Sequence, residues 1–152
     1  RLVVLMGRHH PLSGMAPSLE DYLAWPHLQV SGGGDKDSPV EQVLAPRGLS
    51  RRWFARVPFF QAAVEVLLRT DCLMTTPAHI AWQLSREHAL SFCDLPFATR
   101  VQQYHLLWHQ RHHLDPAHRW FRELAYPFLR DHLQRTLGES RKQLDLKTDH
   151  LR

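Results

Sequence analysis

The 152-residue sequence predicts an α/β fold with a mostly parallel sheet flanked by helices. Three observations lead there. Several apolar runs are strand-length, among them residues 2–6 and 72–75. They alternate with segments whose apolar residues recur at helical spacing. Prolines, glycines and capping side chains fall at the boundaries between them.

Residues 2–6 are apolar throughout, as expected of a strand buried on both faces. Ser18 is placed to N-cap a short helix, with Asp21 in its acidic first turn, and Pro26 ends it. Residues 27–30 form the next strand, closed by Ser31-Gly32-Gly33-Gly34. Asp37 or Ser38 caps a second helix with Pro39 in its first turn, a stripe of Val40, Val43 and Leu44, and Gly48 as C-cap. A strand over 52–57 leads to a helix opened by Pro58, with Ala62, Val66 and Leu67 on its apolar side. A strand over 72–75 precedes a helix begun by Pro77. Residues 90–93 and 100–109 read as two more strands. Asp115 caps a final helix to about residue 133, kinked or split at Pro127. Residues 138–152 are polar, an extra helix or a loose tail.

Net charge is +4, from 19 Lys and Arg against 15 Asp and Glu, and it is scattered. The densest positive run, Arg47, Arg51, Arg52 and Arg56, is broken by apolar residues, so the chain lacks the basic footprint of a nucleic-acid binder. Cys72 and Cys93 sit in apolar runs, as buried free thiols do in a reducing compartment. No 18-residue apolar run offers a membrane-spanning helix. The chain opens on a strand with neither initiator Met nor secretory leader, which suggests a piece of a longer protein.

In open α/β sheets, ligands bind where strands end and helices begin. Three such junctions have distinctive residues: Ser31 to Gly34, Val57-Pro58-Phe59-Phe60, and Thr75-Thr76-Pro77. Glycines admit a ligand to the backbone and threonine hydroxyls can orient one. The same residues also serve as ordinary turns and caps. Neither a G-x-G-x-x-G fingerprint nor a phosphate-binding Gly-Lys-Ser/Thr loop is present, and there is no G-x-S-x-G nucleophile elbow. Cys93, between Phe92 and Leu95, reads as core. His109, His112, His113 and His118 crowd one stretch, but no Cys joins them and Asp115 is better used as a helix cap. No metal, cofactor or catalytic group is expected.

The stretches "LVVLMGRHHPLSG", "SLEDYLAWPHLQVSG", "RRWFARVPFFQAAVEVLLRTDCLMTTPAHIAWQL" and "LPFATRVQQYHLLWHQRHHLDPAHRWFREL" resemble, in this order, the effector-binding domain of LysR-type transcriptional regulators. The resemblance covers residues 1 to about 134, and the W-H-x-R and D-P-A-H-x-W segments are most like regulators of nodulation and aromatic-compound degradation. It implies a Rossmann-like lobe of a type 2 periplasmic-binding-protein-like fold. Residues 1–11 would be the first hinge strand and loop, 12–97 the second lobe, 98–137 the returning hinge strand and C-terminal helix of the first lobe, and 138–152 a tail. The His-rich stretch would be the connection from hinge to helix. The implied function is effector sensing in the cytoplasm by a homo-oligomer, a dimer or tetramer, that reaches DNA only through a helix-turn-helix this chain lacks. A solute-binding module of a transporter is the alternative. The implied effector-lining residues are Ser31, Gly32, Gly33, Val57, Pro58, Phe59, Thr75 and Thr76. The apolar wall at Val57 and Pro58 favours a small molecule with an aromatic or apolar body. With one wall of the cleft missing, weak effector affinity is expected, and the helix face bearing Trp120, Phe121, Leu124 and Leu129 is expected to seek a partner.

Overall fold

The computed structural model describes residues 1–31 and 38–149. Five strands, β1 (Leu2–Gly7), β2 (His27–Val30), β3 (Trp53–Val57), β4 (Leu73–Pro77) and β5 (Leu90–Asp94), form one sheet of order β3-β2-β4-β1-β5. β2 runs parallel to both β3 and β4, whereas β1 is antiparallel to β4 and β5. Four strands therefore point one way and β1 alone runs against them. Helices α1 (Leu19–Ala24), α2 (Pro39–Leu44), α3 (Phe60–Leu67), α4 (Ala78–Glu87) and α5 (Pro116–Asp149) are the α-helices of the described residues.

The apolar run of β1 is buried on both faces because it feeds two cores. Val3 and Leu5 join Leu28, Met74 and Phe92 under α3 and α4. Val4 and Met6 join Leu73 and Cys93 under α1 and α2, with Tyr22, Val40 and Leu44. At the end of β1, Gly7 lies so close to α3 that a Cβ there would come within 2.9 Å of the Leu67 carbonyl oxygen.

Local signals set most boundaries. The Ser18 hydroxyl accepts from the Asp21 N–H while the Asp21 carboxylate accepts from the Ser18 N–H, a reciprocal cap on α1. Ser38 caps α2; Asp37 lies outside the described residues. Gly48 takes the left-handed conformation (φ 69°) that ends the 3-10 turn Ala45–Arg47. Asp115 accepts from the Ala117 and His118 N–H groups at the head of α5.

Three expectations fail. Ala62 is exposed, because the buried side of α3 is formed by Ala63, Val64 and Leu67. Residues 100–109 form no strand. A strand needs a neighbouring edge to satisfy its backbone, and no ladder includes this segment; it runs instead beside α5, with Tyr104 edge-on to His79 at 5.4 Å. Nor does the final helix end near residue 133 or split at Pro127. α5 is a single 34-residue helix that continues through Pro127 into the polar residues expected as an extra helix or a loose tail. Its second half packs on α4 and β5, with Thr136, Ser140 and Leu144 buried. That packing compensates for the backbone hydrogen bond Pro127 cannot donate.

Candidate ligand-binding edge of the sheet

β3, β2 and β4 are parallel neighbours, so their carboxyl ends fall on one edge of the sheet. Fold geometry thereby gathers junctions that lie up to 46 residues apart in sequence, Ser31 to Pro77. The Ser31 N–H donates to the Val57 carbonyl at 3.0 Å and locks the ends of β2 and β3 together. Gly32 and Gly33 lie outside the described residues.

The remaining expected lining residues divide by the direction of their side chains. Val57 is half-buried and packs against the core beneath α3 and α4. Pro58 and Phe59 stand at the exposed tip; Phe59 is 71% exposed and is the N-cap residue of α3, without a side-chain capping bond. Thr75 and Thr76 point to opposite faces, as neighbours on a strand must. The Thr75 hydroxyl is 2.8 Å from the Tyr22 hydroxyl. Thr76 is buried, and its hydroxyl oxygen has no hydrogen-bond partner among the described residues.

Behind Thr75 lies a buried polar network that sequence reasoning missed. Arg51 donates to both carboxylate oxygens of Glu41, at 2.8 and 2.7 Å, and to the Tyr22 hydroxyl at 3.3 Å. Its guanidinium also lies over the Trp53 ring at 4.4 Å. Burial raises the Tyr22 pKa, an effect partly offset by Arg51. His27 donates through Nε2 to the Tyr22 carbonyl at 2.8 Å, and burial pushes its pKa down to about 4. Arg51 sat in what reads as a surface run of arginines. Only the fold reveals that it is 6% exposed while Arg52 and Arg56 stay outside.

The His-rich stretch is a packed turn. Arg122 donates to the His112 and His113 carbonyls at 3.1 and 3.0 Å and to His118 Nδ1 at 2.7 Å, and its guanidinium covers Trp108 at 4.5 Å. His112 stacks on His118 with ring centroids 5.4 Å apart. Among the described residues no group of three or more His, Cys, Asp or Glu side chains is placed to hold a metal.

A family model for the LysR substrate binding domain matches residues 1–130. The transcriptional activator NahR of Pseudomonas putida is 28% identical over 129 residues, covering 85% of this chain and 43% of NahR. Nodulation protein D 1 of Sinorhizobium fredii is 30% identical over 113 residues, covering 70% of this chain and 34% of the relative. The chain thus spans less than half the length of either. The crystal structure of the regulatory domain of MexT, a transcriptional activator in Pseudomonas aeruginosa, superimposes with a TM-score of 0.67 at 30% identity, covering 81% of this chain and 60% of that one.

Proposed function

Because the chain belongs to the LysR substrate-binding domain family, we propose that it is the ligand-sensing part of a transcription regulator and has no catalytic role. The observation that supports this reading best is the shared edge where β2, β3 and β4 end, with Ser31 bonded to Val57. A small effector with an aromatic or apolar body would rest on Pro58 and Phe59 and take hydrogen bonds from Ser31 and Thr75. Gly32 and Gly33 would let it approach the backbone. Val57 and Thr76 would serve from behind, as packing. The family relatives reported above are transcription regulators, which favours a sensor over a transporter's solute-binding module.

Residues 1–11 would supply the first hinge and 12–97 the second lobe. Within 98–137 the returning connection is a non-strand segment followed by helix. An effector held between two lobes changes their relative angle only to the extent that it binds one arrangement more tightly. That change would re-space the DNA-binding domains of a cytoplasmic homo-oligomer. No described helix is long and apolar enough to cross a membrane.

The test is a thermal-shift screen with aromatic acids, amino acids and neutral aromatic compounds. Binding to the native state raises the melting temperature, by about 2.7 kcal/mol of stability at a hundredfold excess over Kd. One organic class is expected to stabilise the chain and to lose that effect in Phe59→Asp. This variant places a good capping residue at the head of α3, so the fold should persist. Stabilisation that survives Phe59→Asp, or none from any class, counts against the reading.

A further inference from the structure

The second half of α5 is held to the rest of the molecule by a narrow contact. Thr136, Ser140 and Leu144 are buried, and Leu144 shares a core cluster with Ala78 and Ala81 of α4. His132 stands one turn before Thr136 and continues the same four-residue repeat. It thereby meets the start of α4, where His79 lines the same cavity. The two imidazoles sit at the upstream end of the docked stripe. That end gathers positive charge. His105 and Arg130 line the cavity with them, and no carboxylate does. The Ala78 N–H donates to the Arg1 carbonyl at 3.0 Å, and the Arg1 amine adds its charge near His79. The carboxylates of the neighbouring elements are already held, Asp131 by Arg130 at 3.1 Å and Asp94 by Arg1 at 3.3 Å. Farther along α5, Glu139 and Asp145 pair with Lys142 and Arg141. Arg86 and Glu87 stand at the far end of α4.

The contacts of both imidazoles suit the neutral form. A guanidinium can only donate, so His132 Nδ1 accepts from Arg135 at 3.3 Å. A proton there would remove the acceptor and set two cations face to face. His79 is half-buried, with its ring edge-on to Tyr104 at 5.4 Å. Burial, then the Arg1 amine and His132, lower its pKa from 6.5. The Tyr104 phenol is shifted up by burial and stays neutral at acid pH. Docked α5 therefore favours neutral His79. The stability this gives the docked state is complete above pH 6.5 and is lost as pH falls below it, because undocking lets His79 take up a proton.

We propose that the His79–His132 contact is an acid-released latch: protonation frees the second half of α5 from α4 while the five-stranded sheet stays folded. The latch belongs to the fold and works whether or not the strand-end edge binds an effector. The experiment is amide hydrogen–deuterium exchange of the 152-residue chain at pH 7.5 and 5.5, corrected for the intrinsic pH dependence of exchange. Amides of residues 136–146 are expected to open at lower free energy than those of β1 at both values, and to lose about fivefold or more of their protection at the lower one. In the double variant His79→Gln/His132→Gln they should keep it, while β1 still loses the protection that buried His27 withdraws. Where the double variant leaves α5 undocked at pH 7.5, the ring resonances of the unsubstituted chain decide. His79 and His132 must then titrate over the pH range in which α5 loses protection. Equal protection of α5 and β1, a loss unchanged in the double variant, or ring titration outside that range overturns the latch.

Discussion

The two halves of α5 invert the usual relation between sequence and burial. The first half has the larger apolar side chains, yet Trp120, Phe121, Leu124 and Phe128 are 65%, 55%, 60% and 73% exposed. The second half reads as polar, yet Thr136, Ser140 and Leu144 are all buried to 4% exposure or less. The difference is supply of surface. Residues 136, 140 and 144 repeat every four positions and make a narrow stripe against α4, whose own buried residues there, Ala78, Ala81 and Ser85, are small. The hydroxyls lose nothing on burial because they bond to their own helix, Thr136 to the His132 carbonyl at 3.0 Å and Ser140 to the Leu137 carbonyl at 2.9 Å. The apolar stripe at 120, 121, 124 and 128 meets no such neighbour among the described residues. Hydrophobicity says which groups gain by burial; only packing decides which obtain it.

The sharpest way to break this comparison is Leu144→Ala. Leu144 belongs to the core beneath α3 and α4, and a buried Leu→Ala change costs about 2–5 kcal/mol. Denaturant unfolding should register a loss of that order, with α5 losing amide protection beyond residue 134. If Leu144→Ala is neutral, the second half of α5 is not docked.

The next effect tests the rule that a buried polar group must be satisfied. Thr136 and Ser140 obey it, whereas His27 is fully buried with Nδ1 unpartnered among the described residues. Its pKa is lowered from 6.5 to about 4 by burial, so the native state holds it neutral. The resulting stability is complete above pH 6.5 and is lost as pH falls from 6.5 toward about 4, because only the unfolded chain protonates in that window. The loss should approach about 3 kcal/mol. His10 and His79, also lowered by burial, act in the same direction. Unfolding free energies measured from pH 7.5 to 4 should slope downward, and His27→Gln should flatten the slope.

A smaller effect distinguishes the halves at their junction. Pro127 cannot donate to the carbonyl one turn earlier. Pro127→Ala should stabilise α5 locally by about 1 kcal/mol, allowing for the entropy proline removes from the unfolded chain. Slower amide exchange over residues 124–133 would show it. The smallest effect belongs to the exposed stripe: Trp120→Ala and Phe128→Ala should each change stability by less than about 0.5 kcal/mol. Equilibrium unfolding of these two variants sets the baseline against which Leu144→Ala is read.

Much of the fold was legible in the sequence because its signals are local. The Ser18 cap, the Gly48 turn, Pro39 at the head of α2 and the uninterrupted apolar run of β1 each depend on a few adjacent residues, and each element stands where those residues place it. The junctions after β2 and β3, at Ser31 and Val57, were likewise legible, whereas β4 runs on through Thr75 and Thr76 to Pro77 because β1 pairs with it that far. Their meeting on one edge follows from the strand order, which no local pattern contains. Arg51 illustrates the limit. Beside Arg47, Arg52 and Arg56 it looks like surface charge, and its burial depends on Glu41 and Tyr22 arriving from two separate helices.

By itself the sequence determined the α/β class, the caps and the resemblance to LysR effector domains, since side-chain period, backbone preference and ordered motifs are properties of the chain. The tertiary structure alone decided that residues 100–109 pair with no strand, that α5 runs through Pro127, and which half of α5 is covered. A strand or a buried face exists only when something lies opposite it, and what lies opposite is set by distant parts of the chain.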